Sequence, residues 1–211
     1  MNENVQHYIE SMIPDRSEFF QSIERYAEEN NVPIMERAGI EALLQILRIG
    51  QPRSILEVGT AIGYSALRMA AAVPDTQIVT IERDAKRYLK AEQYFSQTDL
   101  SKRVHLIKGD ALEVEELVKE LAPFDAIFVD AAKGQYKKFF EIYSKYLSEN
   151  GIIITDNVLF KGLVCEPKIE NKRIRSLVKK IDEFNHWLMN NEEYDTIILP
   201  VGDGVAISKK R

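Results

Sequence analysis

Short apolar runs rich in β-branched residues alternate with longer amphipathic stretches along most of this chain. The runs cover residues 54–58 (SILEV), 77–81 (QIVTI), 104–107 (VHLI), 125–129 (DAIFV) and 151–155 (GIIIT). Each is short enough to be a strand and apolar enough to be covered on both faces. The stretches between them, 64–72, 85–95, 113–121 and 136–147, carry apolar residues at helical spacing. Parallel strands need such crossovers, and each crossover is expected to be right-handed. The alternation therefore predicts an α/β fold with helices on both faces of a parallel sheet. After the fifth strand the pattern changes: 170–189 reads as one long helix, and 194–199 and 205–208 read as strands flanking Pro200-Val-Gly-Asp-Gly204. A turn that short forces antiparallel pairing, so the expected sheet has seven strands, is mixed, and ends in an antiparallel carboxyl-terminal hairpin. Upstream, Pro14 and Pro33 stand near the starts of two or three helices that run to Gly50. No repeat or linker interrupts the chain. It reads as a single domain over 1–211, with a helical amino-terminal extension (1–50) on a core (51–211).

Composition narrows the class further. At 211 residues a chain buries roughly 70% of its unfolded surface and needs no disulfide or metal to fold. Its single cysteine, Cys165, cannot build a disulfide framework and suggests a reducing compartment. The first twenty residues lack the basic start and apolar centre of a signal peptide, and no apolar run approaches the ~18 residues of a membrane span. A cytoplasmic protein with no membrane partner is expected. The net charge of −5 argues on its face against nucleic acid, but it is unevenly spread. The segment from Lys168 to Lys180 carries +5 and the last three residues +3, leaving −13 on the rest.

Ligands of open α/β sheets sit beyond the carboxyl ends of the strands. The first such turn is Glu57-Val-Gly-Thr-Ala-Ile-Gly-Tyr-Ser65. Gly59 and Gly63 permit a tight turn and close approach to a ligand. The spacing is not that of a dinucleotide turn, and Glu57 would repel a pyrophosphate while suiting a cation. Glu82 ends the second strand, where a carboxylate commonly takes the ribose hydroxyls. Asp110 and Ala111 follow the third, where an acidic side chain can reach an adenine amino group. A positively charged nucleoside fits this set, and S-adenosylmethionine (SAM) is such a ligand. Asp130 ends the fourth strand and Asp156-Asn157 the fifth. Neighbouring strands lie ~4.8 Å apart, so one cation could bridge these three oxygen donors. Such hard ligands suit Mg²⁺, Mn²⁺ or Ca²⁺.

The segments Asp130-Ala-Ala-Lys133-Gly-Gln-Tyr136 and Thr155-Asp156-Asn157-Val158, with the turn from Glu57 to Ser65, make the chain resemble the metal-dependent O-methyltransferases of the catechol and caffeoyl-coenzyme A group. The resemblance runs from about Pro33 to the carboxyl terminus. Within that group the chain looks most like the bacterial tRNA 5-hydroxyuridine methyltransferases, which form 5-methoxyuridine at the wobble position. The resemblance implies a Rossmann-like class I methyltransferase fold, a homodimer, and metal ligands Asp130, Asp156 and Asn157. It also implies cofactor contacts from Met35, Ser65, Glu82, Asp110, Ala111 and Asp130, with Glu57, Gly59 and Gly63 shaping the pocket. Lys133 stands where the family places a lysine near the reacting hydroxyl. Ala132 and Gln135 depart from the plant pattern, which usually has an acidic residue and Asn there.

A methyl on sulfonium is already electrophilic, so the expected catalytic task is to form and align an oxyanion, with Lys133 and Asp130 as catalytic residues. Catechol and 5-hydroxyuridine both present adjacent oxygens, and the motifs alone do not separate them. Three readings stand at this point: a tRNA methyltransferase, a methyltransferase of small catechol-like molecules, and a noncatalytic cofactor- or RNA-binding protein on the same fold. His7, His105, His186 and Trp187 read as surface or packing residues. Cys165 falls in a loop near the expected metal site.

Overall fold

A computed structural model describes residues 3–211. Three helices open the chain: α1 (Glu3–Met12), α2 (Glu18–Glu29) and α3 (Arg37–Gly50). The core then runs β1 (Ser54–Val58), α4 (Tyr64–Ala72), β2 (Gln77–Glu82), α5 (Ala85–Phe95), β3 (Val104–Lys108), α6 (Glu115–Lys119), β4 (Phe124–Val129), α7 (Tyr136–Tyr143) and β5 (Leu147–Thr155). It closes with α8 (Lys172–Met189) and the hairpin β6 (Tyr194–Leu199) and β7 (Val205–Lys210). The strands form one seven-stranded sheet in the order β3-β2-β1-β4-β5-β7-β6. β1 to β5 are parallel, and β7 runs antiparallel between β5 and β6. This is the mixed sheet with a carboxyl-terminal hairpin that the alternation predicts.

Strand periodicity divides the apolar side chains between two cores. Ile55, Ile78, Ala126, Phe128 and Ile154 face α2 to α5, whose Ile23, Leu43, Leu67 and Tyr94 are buried against them. Leu56, Val79, Ile127, Val129 and Ile153 face the other way, onto Val118 of α6, Phe139, Phe140 and Tyr143 of α7, and Phe184 and Leu188 of α8. Trp187 packs edge-on against Phe140, with centroids 5.2 Å apart, as a packing residue should.

Two helices differ from their expected lengths. The predicted helix 113–121 contracts to α6 because Asp110 takes over the preceding backbone: its side chain accepts from Leu112 N and its carbonyl from Glu113 N and Val114 N. Such local side-chain bonds compete with helix formation. Leu147, expected at the end of a helix, instead begins β5 and pairs with Phe124 across a register shift. The Asp84 carboxylate caps α5 by accepting from Lys86 N and Arg87 N, and Asn171 caps α8 the same way through Arg173 N and Ile174 N.

A polar cluster fastens the amino-terminal helices to the core. Arg68 of α4 reaches Glu41 of α3 at 2.6 Å and donates to Tyr64 Oη at 3.0 Å. Tyr64 in turn donates to Glu24 of α2, which also pairs with the buried Arg16 at 2.8 Å. Removing one member of a buried pair strands the other. Arg68→Ala is expected to lower stability by about 2 kcal/mol in urea unfolding, below the range for a stranded buried charge, because Glu41 keeps 29% of its side chain exposed and retains Arg16 at 3.5 Å. A loss under about 0.5 kcal/mol would show that this cluster is dispensable.

Candidate active site

The register of the parallel strands assembles the site. Val58 pairs with Ile81 on one side and Val129 on the other, and Val129 pairs with Thr155. The chain therefore leaves β2, β1, β4 and β5 at one height, which sets Glu82, Gly59, Asp130 and Asp156 in a row. Backbone bonds carry the pairing past the strand ends: Gly59 N to Ile81 O, Asp130 N to Val58 O and Asp156 N to Val129 O, at 3.0–3.1 Å. Gly59 has φ +106°, and a Cβ on it would lie 2.0 Å from the Asp130 carbonyl oxygen, so only glycine fits. Gly63 has φ +88° and precedes α4, where a Cβ would strike the Phe95 ring at 2.5 Å.

Above this row lies a cleft of about 660 Å³. Met35, Gly59, Glu82, Asp110, Ala111, Asp130, Lys133, Asp156 and Asn157 line it, so nine of the proposed site residues share one cavity. Glu57, Gly63 and Ser65 do not line it. Ser65, expected to touch the cofactor, instead donates its hydroxyl to Glu57 Oε1 at 2.5 Å beneath the turn. Cys165 is exposed and stands apart from the cleft lining.

One end of the cleft suits a nucleoside. The Glu82 carboxylate is held by Ala61 N and Asp84 N, both at 2.7 Å, which fixes its direction while leaving acceptor capacity. Asp110 accepts from Leu112 N and from Arg83, and these partners hold its carboxyl below the usual range. Glu57 is wholly buried, and burial pushes its carboxyl up to about 7 against the lowering effect of the Ser65 and Thr80 hydroxyls.

The other end concentrates charge. Burial and the mutual repulsion of Asp130 and Asp156 raise the Asp156 carboxyl far above its ordinary value, and burial raises Asp130 too. Asn157 holds a left-handed φ of +59° and donates Nδ2 to Asp156 at 2.9 Å, while its Oδ1 accepts from Lys133 Nζ. Tyr136 supports this corner by donating to the Asp156 carbonyl at 2.9 Å. Burial lowers the Lys133 ammonium, outweighing the three carboxylates Asp130, Asp156 and Asp203 that raise it. Two carboxylates and an amide oxygen form a hard donor set of the kind that suits a divalent cation. Among the described residues no three His, Cys, Asp or Glu side chains form a metal cluster.

Asp203 was not among the expected site residues. It belongs to the turn between β6 and β7, lines the cleft, and accepts from Lys161 N through its side chain and from Leu159 N through its carbonyl. In the sequence its glycine-flanked setting signals only a turn. Its place beside the fifth strand follows from β7 pairing with β5.

The buried Glu57 makes stability depend on pH. A carboxyl whose folded pKa lies above its unfolded value stabilises the fold fully below the unfolded pKa, and that contribution is lost as pH rises through the folded pKa. The window here runs from the ordinary 4.5 to about 7. Glu57→Gln is therefore expected to be more stable than the native protein by about 3 kcal/mol above that window and to gain nothing below it, read by urea unfolding. A pH-independent difference would contradict the assignment.

Comparison with known proteins agrees with this geometry. Residues 10–211 match the O-methyltransferase family. The chain is 30% identical over 216 residues to a catechol O-methyltransferase of Niastella koreensis, covering 98% of this chain and 96% of that protein. A structure from Staphylococcus aureus, assigned as a candidate caffeoyl-CoA O-methyltransferase, superposes with a TM-score of 0.88 at 39% identity, covering 93% of each chain. A methyltransferase of Podospora anserina, solved with SAH bound, superposes with a TM-score of 0.83 at 29% identity, covering 99% of this chain and 94% of that one. The chain belongs to the SAM-dependent O-methyltransferase family, in the group with catechol and caffeoyl-CoA O-methyltransferase relatives.

Proposed function

We propose that this O-methyltransferase acts on 5-hydroxyuridine at the wobble position of tRNA, with a divalent cation such as Mg²⁺ assisting. The observation that carries the RNA reading is the position of α8. Leu177 of this helix lines the cleft, and Lys180 passes 3.6 Å from where a Gly134 Cβ would stand, beside Lys133. Arg173 and Lys180 lie one helical turn either side of Leu177, on the same face. Both are exposed and give the cleft mouth a basic edge suited to phosphates, while Lys172, Arg175 and Lys179 extend the positive charge around the outer side of the helix. A tRNA substrate would also place the enzyme in the cytoplasm, as the lone Cys165 suggests.

SAM supplies an electrophilic methyl, and a divalent cation held by Asp130, Asp156 and Asn157 would make the acceptor hydroxyl more acidic. Glu82 would take the ribose hydroxyls, with Met35, Asp110 and Ala111 about the base. Gly59 leaves room for the donor to lie close to the backbone. Lys133 is placed to take the hydroxyl proton on Nζ or to hold the oxyanion, and its lowered pKa favours the first role. The Asp203 carboxylate stays beside that ammonium and steadies its charge.

A second reading, methylation of small catechol-like molecules, is favoured by the names of the relatives. Labelled SAM with Mg²⁺, offered tRNA containing 5-hydroxyuridine and in parallel a panel of catechols, separates the two. The RNA reading predicts turnover of the tRNA that falls steeply with salt, and turnover of catechols alone overturns it. The double variant Arg173→Glu/Lys180→Glu is expected to cut tRNA turnover at least roughly tenfold while leaving SAM affinity within about twofold. Equal loss of both would point to a folding defect. Asp156→Ala is expected to abolish metal-dependent turnover yet retain SAM binding by calorimetry. Full activity of that variant, or of the native enzyme in chelator, would defeat the metal assignment.

We further propose a homodimer formed through the amino-terminal helices. Val5, Tyr8, Ile9 and Met12 make an apolar stripe along α1, exposed to 64% at Tyr8.

A further inference from the structure

Glu57 is the buried acid that the reaction described above does not use. Nothing of it is exposed, and it lies directly beneath the turn that closes the donor end of the cleft. Its Oε1 accepts from Ser65 of α4 and its Oε2 from Thr80 of β2, each at 2.5 Å. Thr80 Oγ1 is itself 2.5 Å from Thr60 Oγ1, so with Thr80 donating to Glu57, Thr60 donates to Thr80. A relay of hydroxyls thus runs from the buried carboxyl into the turn.

Among the described residues no cation faces this group. The charges that reach it are Glu82, at the end of β2, and Asp130, after β4, and both are acidic. Lys133 is turned onto Asn157, and Arg68, on the same helix as Ser65, is paired with Glu41. Hydroxyl donors can soften an ionised carboxylate in such a place but cannot neutralise it, so protonation competes with ionisation. Burial sets that competition near neutral pH, at about 7.

The two forms of the methyl donor differ by the methyl itself and by one unit charge at sulfur. SAM carries a sulfonium, and the product left after transfer is the neutral thioether SAH, with the same nucleoside and the same amino acid portion. Hydrogen bonds to those shared parts bind both forms alike, and packing around the methyl does not change with pH. The charge of the site is what separates them in a pH-dependent way.

We propose that Glu57 is a charge discriminator: ionised, it favours the sulfonium donor over the thioether product, and arrival of the donor expels a proton from it to solvent. The enzyme would then exchange its product for fresh donor more readily as pH rises through neutrality. This rests on SAM dependence alone and is independent of the acceptor, so its failure leaves the choice between tRNA and catechol untouched.

Calorimetric binding of SAM and SAH, in two buffers of different ionisation enthalpy at about pH 6 and about pH 8, tests it without turnover. The preference for SAM over SAH in the native protein is expected to rise roughly tenfold between those conditions, the order set by two charges ~10 Å apart at an effective dielectric of ~20. SAM binding near neutrality should release a proton beyond any released with SAH. Glu57→Gln keeps hydrogen-bonding capacity toward both hydroxyls and supplies the baseline for ionisation of the ligands themselves. It should show neither the rise in preference nor the extra proton. A native preference that does not change with pH, or a pH-dependent preference retained in Glu57→Gln, would overturn the proposal. Absence of extra proton release in the native protein overturns the proposal even if the variant folds poorly.

Discussion

Val129 pairs with Val58 on one side and with Thr155 on the other in a parallel register, and the chain leaves three adjacent strands side by side at these residues. All else at the site follows from that alignment. Parallel strands bring like ends together, so an acidic residue placed after each one gathers negative charge at a single edge of the sheet. Glu82, Asp130 and Asp156 do this, with Glu57 buried just below. An antiparallel sheet of the same strands would have spread these carboxylates over both edges and left nothing for a cation to join.

The gathered charge is costly, and the protein answers it differently at the two ends. At the nucleoside end, Glu82 is satisfied by two backbone N–H groups and Asp110 by Leu112 N and Arg83. At the other end, Asp130 and Asp156 repel one another, and the Lys133 ammonium close to them is itself pulled toward neutrality by burial. The first end is ready to accept hydrogen bonds. The second lacks positive charge, which a divalent cation would supply, and Glu57 lacks it in the same way on the donor side. A sheet edge that collects carboxylates can thus serve a cationic donor and a metal with one device.

Much of this was legible in the sequence because it is local. The residues 54–58 are apolar but for Ser54 and Glu57, and β1 forms there; 64–72 and 85–95 become α4 and α5 with the expected bounds. Strand ends follow from strand bounds, so Glu82, Asp110, Asp130 and Asp156 could be placed in one cleft before any coordinates. What escaped depended on contacts distant in sequence. Asp203 reaches the site only because β7 inserts beside β5. Ser65 turned from the cleft because Glu57, eight residues earlier, needed a donor under the turn. β5 begins at Leu147 rather than Gly151 because Phe124 pairs across a bulge that polar Glu149 and Asn150 conceal. The net charge of −5 conceals an uneven distribution: acids gather at the sheet edge, while basic residues are concentrated on one exposed helix.

The central claim is that the ends of β4 and β5 form one cation site. Crystals of the protein with SAH, soaked in Mn²⁺ and measured for anomalous scattering, test it most directly. The account predicts one strong peak about 2.0–2.6 Å from carboxylate oxygens of Asp130 and Asp156 and from Asn157 Oδ1, with Lys133 Nζ moved off that amide. No peak there at saturating Mn²⁺, with Lys133 still on Asn157, would contradict it.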